Sequence, residues 1–135
     1  MQDGKDTGRG GRATADPCVL VVEDDRGLAE LLAIALADRL GCDILSAFTG
    51  EEGWRLFQHH AVAVVLTDHH LLAGGMTGLD LARRIKLARP GTAVLMFAGD
   101  PPLDAWTVCD RVFRKPLAVA EVLAATEEML SRRRN

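Results

Sequence analysis

The chain has 135 residues, 48% of them hydrophobic and 26% charged, and a formal net charge of −3. That length and balance point to one domain able to bury a core, and they exclude a disordered or collagen-like chain. The negative charge argues against a dedicated nucleic-acid binder, and no apolar run reaches the roughly 20 residues that span a bilayer. No apolar h-region marks a secretory signal, so the expected location is the cytoplasm.

Residues 1–17 place Gly4, Gly8, Gly10 and Gly11 among small and charged residues, too little to pack, and read as a flexible tail ahead of one domain over 18–135. From Cys18 onward, short apolar runs alternate with helical patterns. The runs are 18–22, 43–48, 62–67, 92–97 and 111–114. Three of them (VLVV, AVAVVL and AVLMF) are apolar on both faces, as parallel strands covered by helices are. The fifth, RVFR, is polar at its ends and suits a sheet edge.

Between the runs, Leu28, Leu31, Leu32, Ala35 and Leu36 fall on one helical face, with Gly41 as the stop. Thr49 and Glu52 form a capping box that opens a helix carrying Trp54 and Phe57. Leu81, Ala82, Ile85 and Ala88 mark a third helix, closed by Pro90. Gly99, Pro101 and Pro102 leave only 103–109 for a fourth, which is expected to be short or missing. The last helix starts near Ala118 with Val119, Val122, Leu123, Thr126, Met129 and Leu130 on one side. Its terminal Arg132, Arg133 and Arg134 complement the helix dipole better than they suggest a nucleic-acid patch. The three cysteines, Cys18, Cys42 and Cys109, lack CxxC spacing. They read as buried thiols, not as a disulfide framework or a zinc site.

Five strands alternating with helices imply an open α/β sheet with right-handed crossovers. Ligands bind such sheets beyond the carboxyl ends of the strands. The first strand ends in Glu23-Asp24-Asp25, the third in Asp68 and the fifth in Lys115-Pro116. If strands one and three are neighbours, three carboxylates converge. Oxygen donors so placed suit Mg2+, and Lys115 would complete a phosphoryl site.

VLVVEDD, TGEEGWRLF, VVLTDHHLL, GGMTGLDLARRI and RKPL stand in the order found in the receiver domain of two-component response regulators, which the chain resembles over 18–130. The version with TD and GLDLARRI is also similar to receivers of hybrid histidine kinases. The resemblance implies a flavodoxin-like (CheY-like), doubly wound five-stranded parallel sheet of order 2-1-3-4-5. It implies Asp68 as phosphoacceptor and Lys115 as its phosphoryl contact, with the bond to Pro116 often cis in relatives. Mg2+ would be held by Glu23, Asp24, Asp68 and the backbone carbonyl of His70. The implied partners are a sensor histidine kinase or histidine phosphotransfer protein and a downstream protein. The domain would act as a monomer or weak dimer, with no enzymatic activity beyond its own phosphorylation and dephosphorylation.

The pattern departs from the family at three places. The switch hydroxyl at the end of the fourth strand falls on Ala98, and its aromatic partner falls on Val112. The 98–115 interval is short, so the face built on the fourth helix is altered. The loop after Asp68 carries extra residues (LLAGGM) and lacks the usual proline, and Gly74 and Gly75 are expected to make it mobile. His69 and His70 suggest a cobalamin motif, but Gly74 stands one residue too far from Asp68. They read better as two solvated loop histidines, as do His59 and His60. The alternative function is a phosphorylation-independent interaction module on the same fold. An aspartate-nucleophile phosphatase is disfavoured, because such enzymes carry the nucleophile after their first strand.

Overall fold

The apolar runs become five parallel strands in the computed structural model, which describes residues 18–71 and 75–134. The expected tail and Gly74 lie outside these residues. In chain order the elements are β1 (Cys18–Val22), α1 (Arg26–Leu40), β2 (Ile44–Ala47), α2 (Gly50–His59), β3 (Val62–Asp68), α3 (Gly78–Ala88), β4 (Ala93–Ala98), α4 (Ala105–Val108), β5 (Arg111–Arg114) and α5 (Val119–Arg134). The sheet order is β2-β1-β3-β4-β5 with every pair parallel, the flavodoxin-like topology expected. The strand order turns back at β1 and β3, so the crevice beyond their carboxyl ends is the switch point.

Every residue of β1, β3 and β4 is buried, because helices cover both faces of the sheet. One core layer joins Leu20, Val22, Val65 and Met96 to Phe57, Leu81 and Ile85 of α2 and α3. The opposite layer joins Val19, Val21, Leu66 and Phe97 to Leu32 and Leu36 of α1 and to Val122 and Met129 of α5. Burying each such full-sized side chain stabilises the fold by about 1.5–3 kcal/mol. The edge strand β5 is the less covered one, with Arg111 and Arg114 exposed, Val112 half-buried and Phe113 buried.

Several local expectations shift. The second run is trimmed to Ile44–Ala47, the fourth shifts by one residue to Ala93–Ala98, and β3 extends one residue to include Asp68. In α1, Leu31 is 53% exposed while Ala29 is buried, because the buried arc centres on Leu32 and Leu36. Gly41 ends that helix at φ 66, a left-handed conformation that glycine adopts without strain. Thr49 accepts the N–H of Glu52, but the Glu52 carboxylate reaches past the cap to the N–H of Phe48. The reciprocal capping box belongs instead to Thr77 and Asp80 at the start of α3. Ala88 is exposed. The fourth helix is a single turn of four residues, as the prolines require. At the end of α5, Arg132 pairs with Glu128 at 2.8 Å, one turn back.

The last carbonyls of α2 find a donor outside the helix. Arg89, just past α3, stacks its guanidinium 4.0 Å from the Phe57 ring centroid and donates to the carbonyls of Phe57 (2.6 Å) and His60 (3.2 Å).

None of the three cysteines is in a disulfide; Cys18 and Cys109 are buried, and Cys42 is half-buried. Burial pushes the Cys109 thiol up to about 11 and raises that of Cys18, in both cases by removing the thiolate from water. With an aromatic disulfide reagent at about pH 8, Cys42 is therefore expected to react first. Cys18 and Cys109 should react only after denaturation. Equal rates for all three thiols in the native protein would contradict that burial.

Candidate functional site

The functional residues expected from the sequence are brought to one end of the sheet, where the strands end. Val22 pairs with Thr67, Asp68 with Phe97, and Ala98 with Arg114. Glu23 therefore stands level with Asp68, and Lys115 follows β5 two residues past Phe113, the residue aligned with Asp68 through Phe97. The N–H of Lys115 donates to the carbonyl of Ala98 at 3.0 Å, which ties the start of the following loop to the end of β4. The Lys115–Pro116 peptide is cis.

Glu23, Asp24 and Asp68 each offer a carboxylate oxygen, and these atoms lie within 4.8 Å of one another. Asp68 is only 3% exposed, and its Oδ2 accepts from Lys115 Nζ at 3.1 Å. Glu23 is 1% exposed. Its Oε2 accepts the N–H of Asp25 at 2.9 Å, while its Oε1 is buried without a hydrogen-bond partner among the described residues. Burial pushes the Glu23 carboxyl up to about 7. The N–H of Asp25 opposes that shift, the nearby Asp68 carboxylate adds to it, and Lys115 again opposes it. An orphaned buried oxygen facing two more carboxylates is a set of hard donors, and it fits a small divalent cation such as Mg2+.

The two histidines beside Asp68 part company. His70 is exposed, but His69 is half-buried and its Nδ1 has no partner among the described residues. Burial lowers the pKa of His69, and the neighbouring His70, with ring centroids 5.1 Å apart, lowers it further. The expectation of two solvated histidines thus fails for His69, whose backbone is fixed on both sides. Its N–H donates to Phe97 at 3.0 Å, and its carbonyl accepts from Gly78 at 2.9 Å. Neither ring joins the carboxylate group among the described residues.

Two features of the site were not singled out from the sequence. Gly78 packs so closely under β3 that a Cβ there would overlap the carbonyl oxygen of Asp68 and come within 2.8 Å of His69 Cα. Glu51, in the first turn of α2, accepts the N–H groups of Gly75 (2.9 Å) and Met76 (3.0 Å) with one oxygen. The Gly75 N–H is the main reason its carboxyl lies below the usual range. Gly75 is therefore tied to α2 through its backbone N–H. The glycine was visible in TGLDLARRI, but no local signal pairs Glu51 with residues 24 and 25 positions away.

A doubly wound parallel sheet with a carboxylate cluster and a lysine at its switch point defines a class of signalling domain. The chain belongs to the response regulator receiver domain family, which it matches over residues 19–109, and so to the receivers of two-component systems. It is 30% identical over 118 residues to the "Uncharacterized transcriptional regulatory protein YcbL" of Bacillus subtilis, covering 84% of this chain and 50% of that protein. It is 41% identical over 70 residues to the "Virulence sensor protein BvgS" of Bordetella pertussis, covering 52% of this chain and 5% of that protein. The chain thus spans about half the length of one such relative and a small part of the other. A response regulator receiver domain from Clostridium thermocellum superposes with a TM-score of 0.76 at 25% identity, covering 88% of this chain and 98% of that one. The fold is also that of TrrA from Thermotoga maritima in complex with Mg(2+)-BeF, with a TM-score of 0.75, 23% identity, and coverage of 84% of this chain and 99% of that one. No helix among the described residues is long and apolar enough to cross a membrane.

Proposed function

We propose that residues 18–134 form a phosphoacceptor receiver that takes a phosphoryl group onto Asp68 from a histidine kinase or histidine phosphotransfer protein. One observation carries the reading: a buried carboxylate paired with Lys115 at 3.1 Å and grouped with the Glu23 and Asp24 carboxylates. An Asp68 oxygen attacks the phosphorus of a phosphohistidine, the P–N bond breaks, and the leaving imidazole keeps the electron pair and takes a proton. Lys115, a mobile point charge on the acceptor, turns to the transferred phosphoryl oxygens and offsets their charge. Glu23, Asp24, Asp68 and the carbonyl of His70 are the groups that would hold Mg2+, which neutralises charge on the transferring oxygens when bound. The chain then catalyses only its own modification.

The reading is tested by intact mass after incubation with Mg2+ and a small phosphodonor. One phosphoryl adduct per chain is expected. Failure to form the adduct, from either the small donor or a histidine kinase, would reject it.

The switch is altered in this reading. Ala98 ends β4 and is 1% exposed, and Val112, paired with Met96, holds the position that the family resemblance gives to the aromatic partner. Ala98→Ser restores a hydroxyl, whose charge-assisted hydrogen bond to a phosphoryl oxygen would contribute about 1.5–3 kcal/mol. The variant is expected to show larger phosphorylation-dependent amide shifts in β4 and β5 than the wild type. Identical shifts in the two proteins would mean that Ala98 is not the switch position. The same residues motivate a second reading, an interaction module indifferent to phosphate. Equal partner affinity with and without the adduct would favour it.

A further inference from the structure

We infer that Glu51 is a positioning residue for Asp68, its carboxylate fixing the segment that sets the backbone behind the acceptor. The connection is continuous. Glu51 holds the N–H groups of Gly75 and Met76. Met76, 8% exposed, lies against Gly50, where an added Cβ would stand 2.9 Å from the Met76 carbonyl oxygen. Thr77 follows and caps α3, and Gly78 then donates to the carbonyl of His69 directly beneath Asp68.

The carboxylate is suited to that work. Two successive amide N–H groups aimed at one ionised oxygen form charge-assisted bonds, stronger than neutral ones and directional. Glu51 is also at the N-terminus of α2, where the helix dipole favours its negative charge, so the anchor is held from the helix side too. The loop after Asp68 lacks the proline that would stiffen it covalently, and the tether from α2 supplies the restraint instead. An acceptor displaced by a fraction of an ångström loses its alignment with donor and lysine, so a residue that touches neither can still control the rate.

This inference rests on Asp68 being the acceptor, and the test separates the two. Amide hydrogen exchange by NMR and the donor-saturated rate of phosphorylation by acetyl phosphate are measured on the full chain, for wild type, Glu51→Ala and Glu51→Gln. In Glu51→Ala the amides of Met76 and Gly78 are expected to exchange about tenfold faster and the saturated rate to fall about tenfold, while the Leu20 amide in β1 stays protected. Glu51→Gln, whose amide oxygen accepts the same two N–H groups, should recover most of both. Unchanged exchange at Gly78 in Glu51→Ala overturns the inference, and so does faster exchange with an unchanged rate. If Leu20 also loses protection, Glu51→Gln decides: a recovered fold with an unrecovered rate overturns it. A wild type that accepts no phosphoryl group removes the acceptor reading, and this inference falls with it.

Discussion

Asp68→Asn should take up no phosphoryl group under conditions in which the wild type carries one, because an amide oxygen is too weak a nucleophile to displace a leaving imidazole. The measurement is intact mass with and without a small phosphodonor in the presence of Mg2+. The fold should survive the change. Asp68 belongs to β3 through its backbone, and the asparagine oxygen can still accept from Lys115 Nζ, now 3.1 Å from the carboxylate. The substitution also removes one of three clustered negative charges, and mutual repulsion in that cluster is unfavourable in the absence of a cation. Asp68→Asn is therefore expected to be at least as stable as the metal-free wild type by thermal denaturation. It should lose Mg2+ affinity, since one oxygen donor of the set is no longer anionic. An adduct on the variant equal to that on the wild type would move the acceptor elsewhere.

Gly78→Ala, at the buried first residue of α3, should damage stability and phosphorylation together. Its new methyl would overlap the Asp68 carbonyl oxygen and crowd His69 Cα to 2.8 Å. Both are backbone atoms, so no side chain can swing away. Either α3 lifts from the sheet or the end of β3 moves, and each breaks the 2.9 Å bond from Gly78 N–H to the His69 carbonyl. A loss of about 2–4 kcal/mol in denaturant unfolding is expected, the scale of overpacking combined with a broken backbone bond. A fall in the phosphorylation rate of about a hundredfold should accompany it. The stability loss alone, with a wild-type rate, would show that α3 absorbs the strain and Asp68 does not move.

Much of this was legible in the chain. Strands apolar on both faces announce a covered parallel sheet, so VLVV, AVAVVL and AVLMF gave away β1, β3 and β4 and the strand ends where function gathers. Once the sheet order is known, Glu23 meets Asp68 by register, and the Lys115 side chain reaches Asp68 from the loop after β5. What stayed hidden depends on three-dimensional partners. TGEE reads as a capping box, yet Glu52 bonds Phe48 and Glu51 crosses to Gly75, and local spacing cannot distinguish those uses. TGLD holds the true box, its Asp at the third position being easy to pass over when Glu or Gln is sought. Leu31 looked like core because α1 is apolar over much of its circumference, and only packing selects the buried arc. His69 and His70 are indistinguishable in sequence, and only the fold shows His69 half-buried where its carbonyl meets the Gly78 N–H and His70 exposed.

Arg89 changes how α2 can come apart. A helix ordinarily frays from its C-terminus, where its last carbonyls are satisfied by water or by a glycine cap. Here the carbonyl of Phe57 and that of His60, the C-cap residue, are held by a guanidinium anchored beyond the far end of α3, with the Phe57 ring beneath it. Unwinding the last turn of α2 therefore also costs both Arg89 hydrogen bonds and its stacking on Phe57. The end of α2 is expected to open less often than a helix end capped by water alone.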